Sequence, residues 1–324
     1  MLAHPQAGRG QVGRHLSAVL EALGPADPLL LPAATRVDAM SAVSAAVEAD
    51  ALGVVAVGGD GTAHLALQAV AGTQVPLGLV PLGTGNDLAD AVGVPKNPIA
   101  AARAILADLA NSRQLAIDAV QVERVRAAGD SADAEPAVGG QAGGPPPDHV
   151  PPHGGKAWYA AILSVGFDSA VNARANRMRW PRGPRRYDLA ILAELARLRT
   201  YQLTLDLDGT TVETPALLAA IGNTRSYGGG MRMCPSADPT DGLLDVTIVE
   251  PVSRLELIRV KPRLYSGTHV DHPAVRTYRA SQIQIDAPGA AVFADGELQG
   301  SLPLRLTAVP GALRLIGASG QPST

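Results

Sequence analysis

Val54–Thr62 reads VVAVGGDGT, and the architecture of the chain follows from that stretch. Ala51–Val57 is a short apolar run, Gly58-Gly59-Asp60-Gly61-Thr62 follows it, and a helical pattern begins at Ala63. The order is a buried strand, a glycine turn and a helix start. Glycines let backbone N–H groups approach an anion closely, because no Cβ intervenes. The helix N-terminus adds partial positive charge. Asp60 sits inside the turn. A carboxylate there repels a bare phosphate, so its natural task is to hold a cation that neutralises one. Taken alone, the loop reads equally well as a tight connection between a strand and a helix.

A second loop extends the reading. The apolar run Val75–Val80 leads into Pro81-Leu82-Gly83-Thr84-Gly85-Asn86-Asp87, again with glycines, a hydroxyl, an amide and an acid. Consecutive strand ends of a parallel sheet share one edge, and ligands bind there. Two glycine loops, Thr62 and Thr84, and Asp60 and Asp87 therefore converge on one crevice suited to a nucleotide phosphate.

Length and composition limit the alternatives. The 324 residues suffice for two domains, and 46% are hydrophobic, so a sizeable core can form. Aromatic residues are only 3%, which leaves Ala, Val and Leu to build it. A net charge of −3 argues against a nucleic-acid binder. One cysteine, Cys234, permits no internal disulfide and fits a reducing compartment. No apolar run approaches the ~20 residues of a membrane span, and no secretory signal is visible. The expectation is a soluble cytoplasmic protein.

The chain before residue 113 alternates strands and helices. Met1–Ala3 is short for a first strand, which suggests a natural start a few residues earlier. His4–Gly10 is a third glycine loop, containing Gly8 and Gly10. Val12, Leu16, Val19, Leu20 and Leu23 share one helix face, with Gly24 as its stop. Pro28–Leu31 reads as a strand. Thr35 caps a helix whose Val37, Met40, Val43 and Val47 face the sheet. Asn97-Pro98 starts another, lined by Ile99, Ala102, Leu106 and Leu109. The sum is a doubly wound α/β domain over residues 1–113.

A β-rich second domain is expected over 114–318, with a 319–324 tail returning toward the first. Gln114–Val125 alternates as a strand and carries Asp118. Residues 127–155, rich in Gly, Pro, Ala and Asp, read as a disordered insertion within a hairpin. Ala157–Val165 resumes the strand. Arg174–Arg186 gathers six arginines around Met178 and Trp180. This is either a solvated helix face or a contact for anionic lipid headgroups or a phosphate. A helix over Tyr187–Leu198 has Leu189, Leu192 and Leu195 inward. Asp208-Gly209 turns a hairpin between Tyr201–Leu207 and Val212–Ile221. A long glycine loop, Asn223–Met233, and Cys234–Leu243 precede a strand at Leu244–Val249. Val252–Tyr265 is helical until Pro262 ends or kinks it. Strands at Gln282–Asp286, Ala291–Phe293, Leu302–Thr307 and Ala312–Ile316 complete the domain.

These motifs resemble the diacylglycerol kinase catalytic-domain family, in its bacterial lipid-kinase branch, over nearly the whole chain. The resemblance rests on GGDGT at Gly58–Thr62, PLGTGNDLA at Pro81–Ala89, GFDSAV at Gly166–Val171, CPSADPTDGLLDV at Cys234–Val246 and ADGE at Ala294–Glu297. GGDGT occurs in similar form in NAD kinases, whereas the ordered set is specific to the lipid kinases. The resemblance implies an α/β nucleotide domain joined to a β-sandwich domain, with the active site in the cleft between them. It implies ATP- and Mg²⁺-dependent transfer of the γ-phosphate to a lipid hydroxyl, with diacylglycerol the default acceptor and phosphatidic acid the product. Gly8, Gly10, Thr35, Gly58, Gly59, Gly61, Thr62, Gly83, Thr84, Gly85 and Asn86 would face ATP. Asp295 or Glu297 would be the base. Asp60, Asp87 and Asp118 would form an acidic network at the catalytic metal. Asp241, with the carbonyls of Asp238 and Leu243, would hold a structural magnesium.

Phosphoryl transfer needs positioning and charge neutralisation more than covalent chemistry, which suits this residue set. Asp295-Gly296-Glu297 and Asp241-Gly242, taken alone, read as turns. His4 and Ala7 stand where the family usually has Asn and Ser. Peripheral membrane association through Arg174–Arg186 and a homodimer are further expectations. The competing readings are an NAD kinase-like enzyme with a soluble acceptor, and a non-catalytic nucleotide- or lipid-binding protein on the same fold.

Overall fold

The computed structural model describes residues 1–3, 11–31, 35–125, 156–178 and 184–321. Its first part alternates β1 (Leu2–Ala3), α1 (Gln11–Leu23), α2 (Arg36–Glu48), β2 (Val54–Gly58), α3 (Asp60–Val70), β3 (Leu77–Pro81), α4 (Asp87–Ala91) and α5 (Pro98–Ala110). β1, β2 and β3 are parallel neighbours. Every residue of β2 and β3 is buried, as a strand covered on both faces requires. α1 packs with α5 and α2 with α3, the two pairings a doubly wound sheet provides. Asn97 caps α5 through its side chain, ahead of Pro98. α5 buries Ala101, Ala102, Ile105 and Asp108. α3 begins at Asp60, three residues before the apolar pattern indicates, because Gly59 already serves as its N-cap.

Some local expectations differ from the structure. Leu31 makes a single bridge to Leu2, and Pro28–Leu30 form no strand. Val37 is exposed, while Ala39 and Val43 form the buried face of α2. α4 is too short to show a periodicity and was not anticipated.

The second part comprises β4 (Leu115–Arg124), β5 (Lys156–Tyr159), β6 (Ile162–Gly166), α6 (Phe167–Arg177), α7 (Pro184–Ala196), β7 (Tyr201–Leu207), β8 (Thr210–Ala216), β9 (Leu218–Gly222) and β10 (Leu244–Val249). α8 (Arg254–Ser266), β11 (Val275–Ala280), β12 (Gln282–Asp286), β13 (Val292–Ala294), β14 (Glu297–Gly300) and β15 (Leu304–Ile316) follow. β4 and β5 pair antiparallel on either side of residues 126–155, so the expected insertion lies outside the described residues. Asp208 and Gly209, both at positive φ, turn the β7–β8 hairpin. Of the three α7 leucines expected inward, only Leu195 is buried; Leu189 and Leu192 are exposed. α8 continues through Pro262 to Ser266.

Two expected single strands are broken, and each break moves the chain between sheets. Ala157–Val165 divides at Ala160-Ala161 into β5, in a nine-stranded sheet, and β6, in a six-stranded one. Val212–Ile221 divides at Leu217 into β8 and β9 in the same way. Conversely, Leu302–Thr307 and Ala312–Ile316 form one strand, β15, with an irregular register between Val309 and Leu313. Alternation in sequence marks a strand's faces but not the sheet it joins.

β15 connects the two parts. Residues Leu304–Thr307 pair with β12, while Leu315 and Ile316 pair in parallel with β3. Leu313, Leu315 and Ile316 thus enter the core of the first part, and Leu304 and Leu306 the core of the sandwich. Gly320 N–H donates to the Val92 carbonyl beyond it.

Asp118 holds this junction. Its buried carboxylate accepts Gly242 N–H at 2.7 Å and, at the β15 irregularity, Gly311 N–H at 2.9 Å. Its own N–H donates to the Pro239 carbonyl at 2.7 Å. Asp118→Ala leaves two amides without their acceptor, so the melting temperature should fall by about 3–8 °C. A thermal scan checks this; an unchanged midpoint would remove Asp118 as the brace.

Candidate functional site

The two glycine loops touch each other. A Cβ on Gly83 would lie 2.5 Å from Gly59 Cα, so neither position accepts a side chain without separating the loops. Leu82 N–H donates to the Gly58 carbonyl at 2.7 Å. Asn86, at φ 62°, closes its own turn by accepting Gly83 N–H at 2.9 Å. The Asp60 carboxylate then spans both loops, accepting Asn86 N–H at 2.9 Å and Asp87 N–H at 2.7 Å. The crevice is lined by Gly58, Gly59, Asp60, Pro81 and Asn86 over an apolar floor that includes Ala63 and Leu88. Gly61, Thr62, Thr84 and Gly85 belong to the same two loops, and Thr84 is exposed. Gly8 and Gly10 lie outside the described residues.

Asp87 faces the second part of the chain. Its carboxylate accepts Gly228 N–H at 2.8 Å and Gly229 N–H at 3.3 Å from the long glycine loop. Burial, and after it the charge of Asp60, pushes the Asp87 carboxyl up to about 6. Burial also raises Asp60, against its two backbone hydrogen bonds, and Asp295 adds to the rise. Among the described residues neither acid is paired with a Lys or Arg. Two buried carboxylates thus repel each other, with a third nearby; among the described residues no three acid, His or Cys side chains are gathered closely enough to form a ready-made metal cluster.

Asp118 does not join this group. Its two amide partners, Gly242 and Gly311, place its carboxylate beside the Asp241 turn. The Asp241 turn also differs from the expected structural magnesium site. Asp241 Oδ1 accepts Leu243 N–H at 3.0 Å, and Oδ2 pairs with Arg279, which also reaches Asp245 at 3.2 Å. Asp238 turns its Oδ1 to Thr240. An arginine thus answers the charge that a metal would neutralise, and the residues present do not fit one. The signal missed in sequence was Arg279, some 38 positions from its partner.

The ADGE segment is a hairpin turn and also part of the cleft. Asp295 and Gly296 occupy the positive-φ turn between β13 and β14. Asp295 is fixed from several sides. Its oxygens accept Ala160 N–H and Ala161 N–H, each at 2.9 Å, at the point where the chain changes sheets. Glu297 stands over the start of α3, with Oε1 3.0 Å from where a Gly61 Cβ would be. Its Oε2 lies 3.2 Å from Arg36 Nη1.

Sequence reasoning missed two residues here. Thr35 is spent on its helix cap, exchanging hydrogen bonds with Asp38, and the next residue, Arg36, reaches the cleft instead. Among the described residues Arg36 Nε and Nη2 are buried without a hydrogen-bond partner, two donors beside the Glu297 pair. His64, one turn into α3, brings Nδ1 to 3.5 Å from Asp295 Oδ2. Gln68 is locked by the Trp158 backbone, so its Nε2 donates to His64 Nε2 and leaves the imidazole proton on Nδ1. A helix-period pattern gives no hint of either partnership.

Asp168, from GFDSAV, accepts the Tyr227 hydroxyl, tying α6 to the loop that holds Asp87. Arg174 pairs with Glu194 of α7, so its charge is met within the protein. Arg179 and Arg182 lie outside the described residues, as do the side chains of Arg177, Arg185 and Arg186. Cys234 is buried, which pushes its thiol up to about 12 and makes it inert. No helix among the described residues is long and apolar enough to cross a membrane.

An α/β domain and a β-sandwich, meeting at a cleft of glycine loops and carboxylates, define a two-domain kinase. Residues 1–122 match the family described as diacylglycerol kinase catalytic domain, and residues 161–317 the YegS C-terminal NAD kinase beta sandwich-like domain. The chain is 41% identical over 281 residues to a diacylglycerol kinase of Mycobacterium tuberculosis, covering 86% of this chain and 81% of that one. It is 33% identical over 283 residues to a Pseudomonas fluorescens protein named "Probable lipid kinase YegS-like", covering 86% and 81%. A crystal structure described as a diacylglycerol kinase from Bacillus anthracis shares the fold, with a TM-score of 0.65, 18% identity and coverage of 97% and 94%. The chain belongs to the diacylglycerol kinase family of lipid kinases.

Two outcomes test the site's electrostatics. Because Arg279 already neutralises Asp241, Mg²⁺ or chelator should leave the melting temperature of the ligand-free protein within about 1 °C. Arg279→Ala should lower it by about 1–3 °C and make it magnesium-dependent. A large chelator effect on the parent chain that Asp241→Asn abolishes would restore the structural metal. Burial raises Asp168 to about 6, above its unfolded value, so its ionisation opposes folding as pH rises from about 4 through 6. Asp168→Asn should therefore raise the melting temperature on the order of 3–6 °C at pH 7.5 and leave it unchanged below pH 4. A destabilised variant at both pH values would contradict this.

Proposed function

We propose that this lipid kinase transfers the γ-phosphate of ATP, with Mg²⁺, to the free hydroxyl of diacylglycerol, giving phosphatidic acid. The observation that carries the reading is that the Asp60 carboxylate joins two touching glycine loops, with Asp87 and Asp295 near enough to act on its charge and the Arg36–Glu297 pair at the start of α3. The nucleotide phosphates lie along the glycine loops and the α3 N-terminus, where backbone N–H groups approach without a Cβ. Arg36 offers its open Nε and Nη2 to phosphate oxygens. Asp60 and Asp87 hold the cation, which when bound supplies neutralisation of phosphate charge.

Glu297 is the better base. Asp295 has both oxygens committed to amides, which fixes it in the turn. Glu297 pairs with Arg36 and overlooks the start of α3 at the crevice. It takes the proton of the acceptor hydroxyl as that oxygen attacks phosphorus. Diacylglycerol as acceptor is supported by the 41% identity to a protein of that name. Peripheral contact with a bilayer follows from an acceptor that resides there.

The test is transfer from labelled ATP to a panel of micellar lipids, with Mg²⁺ or chelator. One phosphorylated lipid, dependent on magnesium, is expected. Glu297→Gln should lower kcat about 10²–10⁴-fold with little change in KM for ATP. Asp295→Asn should disturb the melting temperature as well. Phosphorylation of NAD in place of any lipid would overturn the acceptor class, and an active Glu297→Gln variant would overturn the base.

A further inference from the structure

α8 is an unusual element for a protein interior, because none of its residues is buried. Ser253 caps its start by accepting Glu256 N–H, and Gly267 ends it in the left-handed conformation, so its extent is well defined. Leu255, Ile258, Pro262 and Tyr265 are all exposed. Their separations of three, four and three residues place them on one face. They form an apolar stripe about 15 Å long. Arg254, Arg259, Lys261 and Arg263 flank that stripe, against the single acid Glu256. Glu256 is drawn to His272, at 3.2 Å. The helix is thus cationic in a chain whose net charge is −3. Leu189 and Leu192 of α7 are exposed as well, and Arg254 donates to the Ala196 carbonyl at the end of α7 at 2.8 Å.

We propose that α8, with the exposed leucines of α7, is the surface by which this kinase docks on an anionic bilayer. Leu255, Ile258 and Tyr265 enter the boundary between headgroups and acyl chains, and Arg259 and Lys261 meet lipid phosphates. The proposal rests on the lipid-kinase reading, since it places the enzyme where its acceptor resides. Charge selects the bilayer over a second copy. A two-fold contact through this face would set Arg259 and Lys261 near their own counterparts, and like charges repel. An amphipathic helix with basic flanks, held to the core through Leu264 on its opposite side, has the composition of an interfacial anchor.

The surface is joined to the cleft by a short path. The Leu264 carbonyl of α8 accepts Arg232 N–H at 2.8 Å. Met231 bridges Tyr227, and between them Gly228 and Gly229 hold Asp87. Docking through α8 therefore bears on the loop that carries the amide partners of a cation-binding acid.

The experiment uses the full chain with vesicles of phosphatidylcholine, with and without phosphatidylglycerol, in a sedimentation assay. The parent protein should bind the anionic vesicles at least tenfold better at low salt, and the preference should shrink at high salt. The doubly substituted Leu255→Glu, Ile258→Glu protein should lose at least tenfold in vesicle binding. It should lose similarly in turnover of long-chain diacylglycerol presented in those vesicles. Its turnover of a short-chain, water-dispersed diacylglycerol should stay within twofold of the parent, which also shows that it folds. Arg259→Glu, Lys261→Glu should remove the anionic preference.

Undiminished vesicle binding by the Leu255→Glu, Ile258→Glu protein overturns the proposal. So does conversion of a dimeric parent to a monomer with vesicle binding unchanged, which would assign the face to a second copy. If the parent phosphorylates neither lipid, the acceptor assignment fails, while the vesicle assay still decides the docking surface.

Discussion

One carboxylate organises the catalytic half of this molecule. Asp60 ends the first glycine turn, yet both its oxygens are used by the second loop, on the amides of Asn86 and Asp87. The price is a buried negative charge beside Asp87 and Asp295, and burial raises the first two. Such a cluster is stable only while its charge is answered, by protons or by a cation. The same bond that aligns the loops therefore gathers the charge that protons or a cation would answer. The contact between Gly59 and Gly83 leaves no room for another solution, since any side chain there would part the loops.

The second constraint is the seam between the two parts. Two segments cross it by changing sheets, β5 to β6 at Ala160-Ala161 and β8 to β9 at Leu217, and β15 spans it within the nine-stranded sheet, from β12 to β3. At a break the backbone amides leave the ladder and need other partners. At Ala160 and Ala161 that partner is the Asp295 carboxylate, and at the β15 irregularity it is Asp118. The seam is thus stitched by carboxylates on amides, and one of those carboxylates belongs to the cleft. His64 approaches the same Asp295 from α3, so the glycine-loop helix and the ADGE turn meet at this one contact.

Much of this was legible in the sequence because it is local. GGDGT and PLGTGND are short, each carries its strand, glycines and acid within a few residues, and the apolar periodicity of α1 gives its face, whereas α5 buries Ala101, Ala102, Ile105 and Asp108, of which only Ala102 was expected inward. The ordered motif set carried the family and the two-part architecture. What was hidden depends on distant partners. Arg36 lies next to Thr35, but only folding brings it to Glu297, and only folding brings Arg279 to Asp241. Asp118 looked like a member of the catalytic acids, since a lone acid on a strand says nothing of which edge it serves. Breaks within apolar runs escaped because alternation continues through a change of sheet. The exposed face of α7 escaped because a heptad-like run of leucines reads the same whether core or bilayer covers it.

The central claim is that the two glycine loops and their acids form one site for a metal-bound nucleotide. Binding of Mn²⁺·ATP to the lipid-free protein, followed by the electron paramagnetic resonance of the metal, addresses it without requiring turnover. The parent protein should immobilise the ion stoichiometrically in the presence of ATP. Asp60→Asn and Asp87→Asn should each weaken that binding at least tenfold, while Asp118→Asn and Asp241→Asn should leave it intact. Undiminished binding by both Asp60→Asn and Asp87→Asn would contradict the account.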